Sequence, residues 1–257
     1  MEEAIKEGKY IYCIIEIETA VAKTFGSQGI GGRGDELYTV CFNDIAAVVS
    51  NSPILRYKVS RENTLAHEKA IEEVMKEYTV LPVRFATITE DEDKVKKILE
   101  KEYGKFKDLL NKMKDKKELG LKAIFHEDII YKDILEKYKE IRILKEKVAT
   151  LPSEKTYFKR AEIGEMVEAA LQKEKEIYKK DILNTLSALA AEVKINNSYW
   201  ELMIINAAFL VENYKEAEFD QKVNEFEAKY SSKLKLKYIG KVPPFNFVNL
   251  VIETKNY

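Results

Sequence analysis

The stretch YIYCIIEI, residues 10–17, constrains this fold more than any other. It is a nearly continuous run of apolar strand formers. Such a run cannot leave either face in water, so it reads as a central strand covered on both sides. Residues 36–42 alternate: Tyr38, Val40 and Phe42 lie on one face, Leu37, Thr39 and Cys41 on the other. That period of two predicts a second strand. DIAAVVS, 44–50, reads as a third, closed by the turn NSP. Ser60 is placed to cap a helix with Glu62 in its first turn. His67, Ile71, Val74, Met75 and Tyr78 form its apolar stripe. TVLPVRFATI, 79–88, is strand-like, with Pro82 implying an edge, a bulge or an interruption. Residues 90–115 are helical with Val95, Ile98 and Leu99 inward and a break near Gly104. These elements predict a small α+β domain over 1–115.

A second domain is expected over 116–257. ELGLKAIF, 118–125, is a strand, and a helical stretch runs from Glu127 to about Val148. LPSEK, 151–155, interrupts it. A long helix is expected from about 157 to 193, with Ile163, Val167, Ala170, Tyr178, Ile182, Leu186, Leu189 and Val193 inward. Then come a strand at 200–212, a helix at 215–230 with Phe219, Val223 and Phe226 inward, and strands at 234–240 and 245–253 around Pro243-Pro244. The pattern is α+β and near a ferredoxin-like sandwich with a long helical insertion.

Charge excludes some partners. The 257 residues carry 43 Lys and Arg against 44 Asp and Glu, a net charge of −1. No global basic field points to nucleic acid or anionic lipid. No apolar run reaches about 18 residues, so no membrane-spanning helix is expected. MEEAIKEGK lacks the apolar segment of a signal peptide, which predicts a cytoplasmic protein. Cys13 and Cys41 lie in predicted strands and read as free thiols; a disulfide is open but not needed in a chain this long.

GIGGRG, 29–34, has the G-x-G-x-x-G spacing of a dinucleotide loop. That loop must leave a strand and open a helix, so that the helix N-terminus meets the phosphates. Here a strand follows instead, and the glycines read as a β–β connection. His67 reads as a satisfied core histidine, with a base or ligand as the alternative. His126 with Glu127 and Asp128 offers three donors, but nothing else in the sequence is arranged to join them around a metal. No nucleophile-elbow, P-loop or zinc-helix motif occurs. Cys13 has apolar neighbours, which raise a thiol pKa. The basic-aromatic stretch EKTYFKR, 154–160, is followed at once by acidic residues and reads as a helix start rather than a nucleic-acid contact. Elimination favours an interaction protein without a cofactor over an enzyme.

Longer stretches carry a resemblance. SRENTLAHEKAIEEVM (60–75) followed by YTVLPVRFATI (78–88) resembles the signature of the gas vesicle protein F/L family. IYCIIE and DIAAVVSNSP look like its opening strands, ELGLKAIF like its mid-chain strand, and NAAFLVE and PPFNFV like its C-terminal pair. Members often carry a Gly-Pro-Trp-Pro-Pro-Tyr run, whereas Gly240-Lys241-Val242 precedes Pro243-Pro244-Phe245 here. The resemblance implies a non-enzymatic accessory protein of gas vesicles, the hollow shells that give buoyancy. It implies the hydrophobic shell subunit and other accessory proteins as partners, and a two-domain α+β fold with a ferredoxin-like C-terminal part.

A partner for an apolar shell subunit needs a strand edge or an apolar groove. Two regions offer one: Arg84 and Phe85 on the 79–88 strand, and Phe245 and Phe247 near the C-terminus. These four are the expected partner-binding residues, with packing of the aromatics in the core as the competing reading. Phe247→Asp is expected to abolish co-purification of the shell subunit while the protein stays folded. Arg84 is expected to have a carboxylate partner. Asn63, His67 and Glu68 are assigned structural roles: at the cap, inward, and in a surface pair. The alternatives are a ferredoxin-like regulatory or small-ligand module gated by the glycine loop, and an enzyme using His67 or Cys13.

Overall fold

The computed structural model describes residues 6–18, 21–152 and 156–254. Part of the LPSEK break and the first residues of EKTYFKR lie outside them. The chain divides into two compact units, Met1–Glu118 with Lys241–Tyr257, and Leu119–Gly240. The sequence places all of 116–257 in one domain; the fold instead returns Lys241–Tyr257 to unit 1.

Unit 1 is built on one antiparallel sheet. Its strands are β1 (Glu7–Glu16), β2 (Tyr38–Phe42), β3 (Ile45–Pro53), β4 (Val80–Pro82) and β5 (Ile88–Thr89). The order is β2-β3-β1-β4, with β5 also beside β1. The apolar run lies at the centre: residues 10–15 are all fully buried. Helix α1 (Arg61–Met75) seats Ala70, Ile71 and Val74 in the same cluster as Tyr10, Tyr12 and Ile15 and buries His67 with its ring 5.6 Å from that of Tyr10. Its N-cap is Ser60, whose Oγ accepts from the Asn63 N–H at 3.2 Å. Helices α2 (Glu92–Lys101) and α3 (Tyr103–Met113) bury Val95, Ile98, Leu99, Phe106 and Leu110. The break between them falls at Glu102, and Gly104 is accommodated within α3. The strand region expected over 79–88 is interrupted after Pro82, one of the outcomes the proline implied: it forms two short strands, and residues 83–87 turn away between them.

Unit 2 holds a four-stranded sheet. Its strands are β6 (Lys116–Phe125), which enters from unit 1, β7 (Glu192–Ile195), β8 (Met203–Glu212) and β9 (Leu234–Val242), in the order β7-β8-β6-β9. Helices α4 (Glu127–Lys137), α5 (Lys139–Ala149) and α6 (Tyr157–Ser187) separate β6 from β7, and α7 (Glu216–Tyr230) separates β8 from β9. The helical stretch from 127 is two helices, since Tyr138 leaves helical geometry. That corner is tied to α6: Lys137 Nζ and the Tyr138 hydroxyl both donate to Glu174 Oε1, at 2.6 and 2.8 Å. The long helix ends at Ser187. Val193, expected on its inner face, pairs with Phe209 in the β7–β8 ladder instead. The core gathers Phe125, Phe209, Phe219, Leu171, Ile182 and Leu186. Among the described residues no helix is long and apolar enough to cross a membrane.

Candidate functional site

All four expected partner-binding residues fall in unit 1, where the 83–87 turn meets the segment 243–252. The turn is held from beneath by a chain of polar groups. Ala86 takes a left-handed φ of 62°, and its N–H donates to the Tyr10 hydroxyl oxygen at 2.8 Å. Tyr10 lies 3.0 Å from His67 Nδ1, and His67 Nε2 lies 3.2 Å from the Val83 carbonyl oxygen. A carbonyl only accepts, so Nε2 carries the proton. Burial lowers the His67 pKa to about 4, against a smaller opposing effect of the Val83 carbonyl, so the ring is neutral at pH 7. Nδ1 is therefore an acceptor, and the Tyr10 O–H donates to it. Every member of the chain Ala86–Tyr10–His67–Val83 has its partner, which fixes the turn. His67 serves here as a clamp.

The second half of the site is a backbone pairing. Strand β4 ends the ladder, and an open edge there would offer pairing to another chain. Just past β4 the C-terminal segment pairs with the chain: Val83 bridges Leu250 in parallel, and the Arg84 N–H donates to the Leu250 carbonyl at 3.1 Å. The expected strand at 245–253 does not form. Pro243-Pro244 opens a turn in which the Phe247 and Val248 N–H groups return to the Pro244 carbonyl, at 3.0 and 2.8 Å. Glu118 anchors that turn, its two oxygens accepting from the Asn246 N–H at 3.0 Å and from Asn246 Nδ2 at 2.5 Å. Burial raises the Glu118 pKa, and the two Asn246 hydrogen bonds oppose that rise.

These contacts sort the four residues. Arg84 is exposed, and among the described residues no carboxylate pairs with its guanidinium, contrary to expectation. Phe85 is half-buried against the tyrosine–histidine cluster, its ring 5.7 Å from His67. Phe245 is 41% exposed, with its ring 6.3 Å from His67. Phe247 is 7% exposed and belongs to the interior. A turn of helical pitch points Phe245 outward and Phe247 inward, where strand alternation would have put both on one face. The aspartate substitution expected to leave a folded protein would therefore bury a carboxylate.

Other sequence candidates find structural roles. Cys13 is fully buried and burial pushes its thiol pKa up, which disfavours the nucleophilic thiolate; Cys13 and Cys41 are free. Among the described residues no three His, Cys, Asp or Glu side chains converge as a cation site. Glu68 makes no surface pair among the described residues; burial and the neighbouring Glu72 raise its pKa. The glycine loop forms a short 3-10 turn at Ile30–Gly32 and leads to β2, with no helix to meet a phosphate. It is pinned to the core: the Ile30 N–H donates to the Tyr12 hydroxyl oxygen at 2.8 Å, and Tyr12 is 2.9 Å from Ser50 Oγ. Gly31 and Gly34 supply φ of 87° and 75°. The Glu118–Asn246 clamp was not visible in the sequence, where Glu118 is one acid among many lysines and glutamates. Tyr10 did carry a signal, since a tyrosine inside an apolar strand needs a hydroxyl partner.

Residues 8–249 match the sequence model of the gas vesicle synthesis protein GvpL/GvpF family. The chain belongs to this family. It is 24% identical over 251 residues to gas vesicle protein F of Nostoc sp., covering 96% of this chain and all of that one. It is 26% identical over 249 residues to gas vesicle protein F1 of Halobacterium salinarum, covering 96% and 95%. The crystal structure of GvpF from Anabaena sp. superposes with a TM-score of 0.81 at 23% identity, covering 95% of this chain and 99% of that one. That of GvpF from Microcystis aeruginosa gives 0.76 at 22%, with the same coverage. The mixed helix–sheet fold is shared with these proteins.

Proposed function

We propose that this protein acts without bond-making chemistry, as a gas vesicle accessory protein that binds the shell subunit or other accessory proteins during assembly. The docking surface is the rigid rim formed by Arg84, the outer edge of Phe85, and Phe245. One observation carries the reading: an exposed aromatic ring and a guanidinium with no carboxylate partner among the described residues lie on two segments that are joined by backbone pairing and held by a buried network. Arginine and aromatic side chains are the residues that most often anchor interfaces, and here the backbone that carries them is already ordered before binding. The backbone at Val83–Arg84 is already paired with Leu250, so recognition there runs through side chains rather than an added strand. Unit 2 reads as ferredoxin-like, supported by the order β7-β8-β6-β9 and by helical connections after its first and third strands.

The test is co-purification from cells producing vesicles, using wild type, Arg84→Glu and Phe245→Asp. Both variants are expected to melt like wild type and to lose the shell subunit or an accessory protein from the pull-down. Retention of every partner by both folded variants would overturn this surface.

A further inference from the structure

Unit 2 contains a feature that the Arg84 surface does not explain. Helices α4, α5 and α6 enclose an open pocket of about 440 Å³. Its wall is apolar, built from Leu135, Val148, Ala149, Ile163 and Val167, with Tyr131 at one side. Among the described residues the only charged ones lining it are Lys145 and Arg160, and neither has an ion-pair partner there. Across α4, α5 and α6 basic and acidic side chains balance, twelve of each, so the positive bias is local to the pocket. α5 carries four basic and two acidic side chains. α6 opens with Lys159 and Arg160 and has no acidic residue in its first turn. Helix N-termini favour acids there, since their free N–H groups form the positive end of the dipole. Cations at this end are locally unfavourable, and an anionic partner would relieve them.

The apolar surface continues past the pocket. Tyr157, 75% exposed, stands three residues before Arg160 on the same side of α6. From Tyr157 to Val167 the stripe runs ~15 Å along the axis. That length exceeds one pocket-filling group and matches the anchors of an amphipathic helix at i, i+3 or i+4, and i+7.

We propose that this pocket is a docking site for an acidic amphipathic helix of a partner protein, wholly within unit 2. Apolar anchors of the partner enter between α5 and α6, and its flanking carboxylates pair with Lys145 and Arg160.

The test uses the full chain and two fluorescein-labelled model peptides, read by anisotropy. Both carry leucines at helical spacing; one has glutamates at its remaining positions, the other lysines. The glutamate peptide is expected to bind saturably and at least tenfold more tightly than the lysine peptide. Lys145→Glu with Arg160→Glu should reverse the preference. Ala149→Trp, at an exposed position on the pocket wall, should abolish binding with an unchanged melting curve. Equal or absent binding of the two peptides would overturn the proposal, as would binding that survives Ala149→Trp. So would saturable binding of dodecanoate, lost in Ala149→Trp, with no binding of the glutamate peptide, which would assign the pocket to a lipid.

Discussion

Protonating His67 should release the turn that presents Arg84 and Phe85, and the cost can be worked out. The folded ring has a pKa of about 4, because burial disfavours the cation, whereas an unfolded histidine sits near 6.5. The unfolded chain therefore binds a proton at pH values where the folded chain does not, and stability falls by about 1.4 kcal/mol per pH unit across that window. The contribution is fully present above pH 6.5 and is lost as the pH falls towards 4. The loss is about 2 kcal/mol at pH 5 and about 3 kcal/mol below pH 4. Carboxylates also lose their partners in acid, so the comparison must be made against His67→Gln. Glutamine can donate to Val83 and accept from Tyr10, yet it does not titrate. Hydrogen-exchange protection of residues 80–90 in both proteins, at pH 7.5 and pH 5.0, isolates the difference. Wild type should lose about 30-fold more protection than His67→Gln between the two conditions, the ratio that 2 kcal/mol implies. An unchanged ratio, or a His67 imidazole titrating near 6.5 by NMR in the folded protein, would refute the assignment. With only two histidines in the chain, the two resonances are readily told apart.

Other perturbations probe the same architecture. Phe247→Asp should unfold unit 1 or destabilise it by more than about 3 kcal/mol, the cost of losing a core phenylalanine and burying a carboxylate, whereas Phe245→Asp should shift the melting temperature little. Asn246→Asp places a second carboxylate against Glu118. Relative to wild type at the same pH, it should destabilise the protein by about 1–3 kcal/mol at pH 7 and by less near pH 4, where a proton returns the hydrogen bond, checked by thermal melts of both proteins at the two pH values. Tyr12→Phe leaves the buried Ile30 N–H without its acceptor. A loss of about 1–3 kcal/mol is expected, with faster amide exchange confined first to the glycine loop.

The local pattern of this chain was legible wherever one residue's environment follows from its neighbours. The run at 10–17 had to be a central strand, because no face of it tolerates water. Ser60 and Glu62 announced α1, and the alternation at 38–42 denied the glycine loop the helix that a phosphate would need. The tertiary structure decided what spacing alone leaves degenerate. Strand alternation and a tight turn both fit Phe245–Asn246–Phe247, and only the Pro244 hydrogen bonds and the Glu118 clamp choose between them. The residues around Val193 suit a helix as well as a strand until β8 supplies a ladder. The pairing of the C-terminal segment with Val83–Arg84, and the neutral His67 beneath the turn, depend on groups brought together from far along the chain. Such long-range pairings are set by which buried donors and acceptors can satisfy each other, and a one-dimensional pattern does not record that.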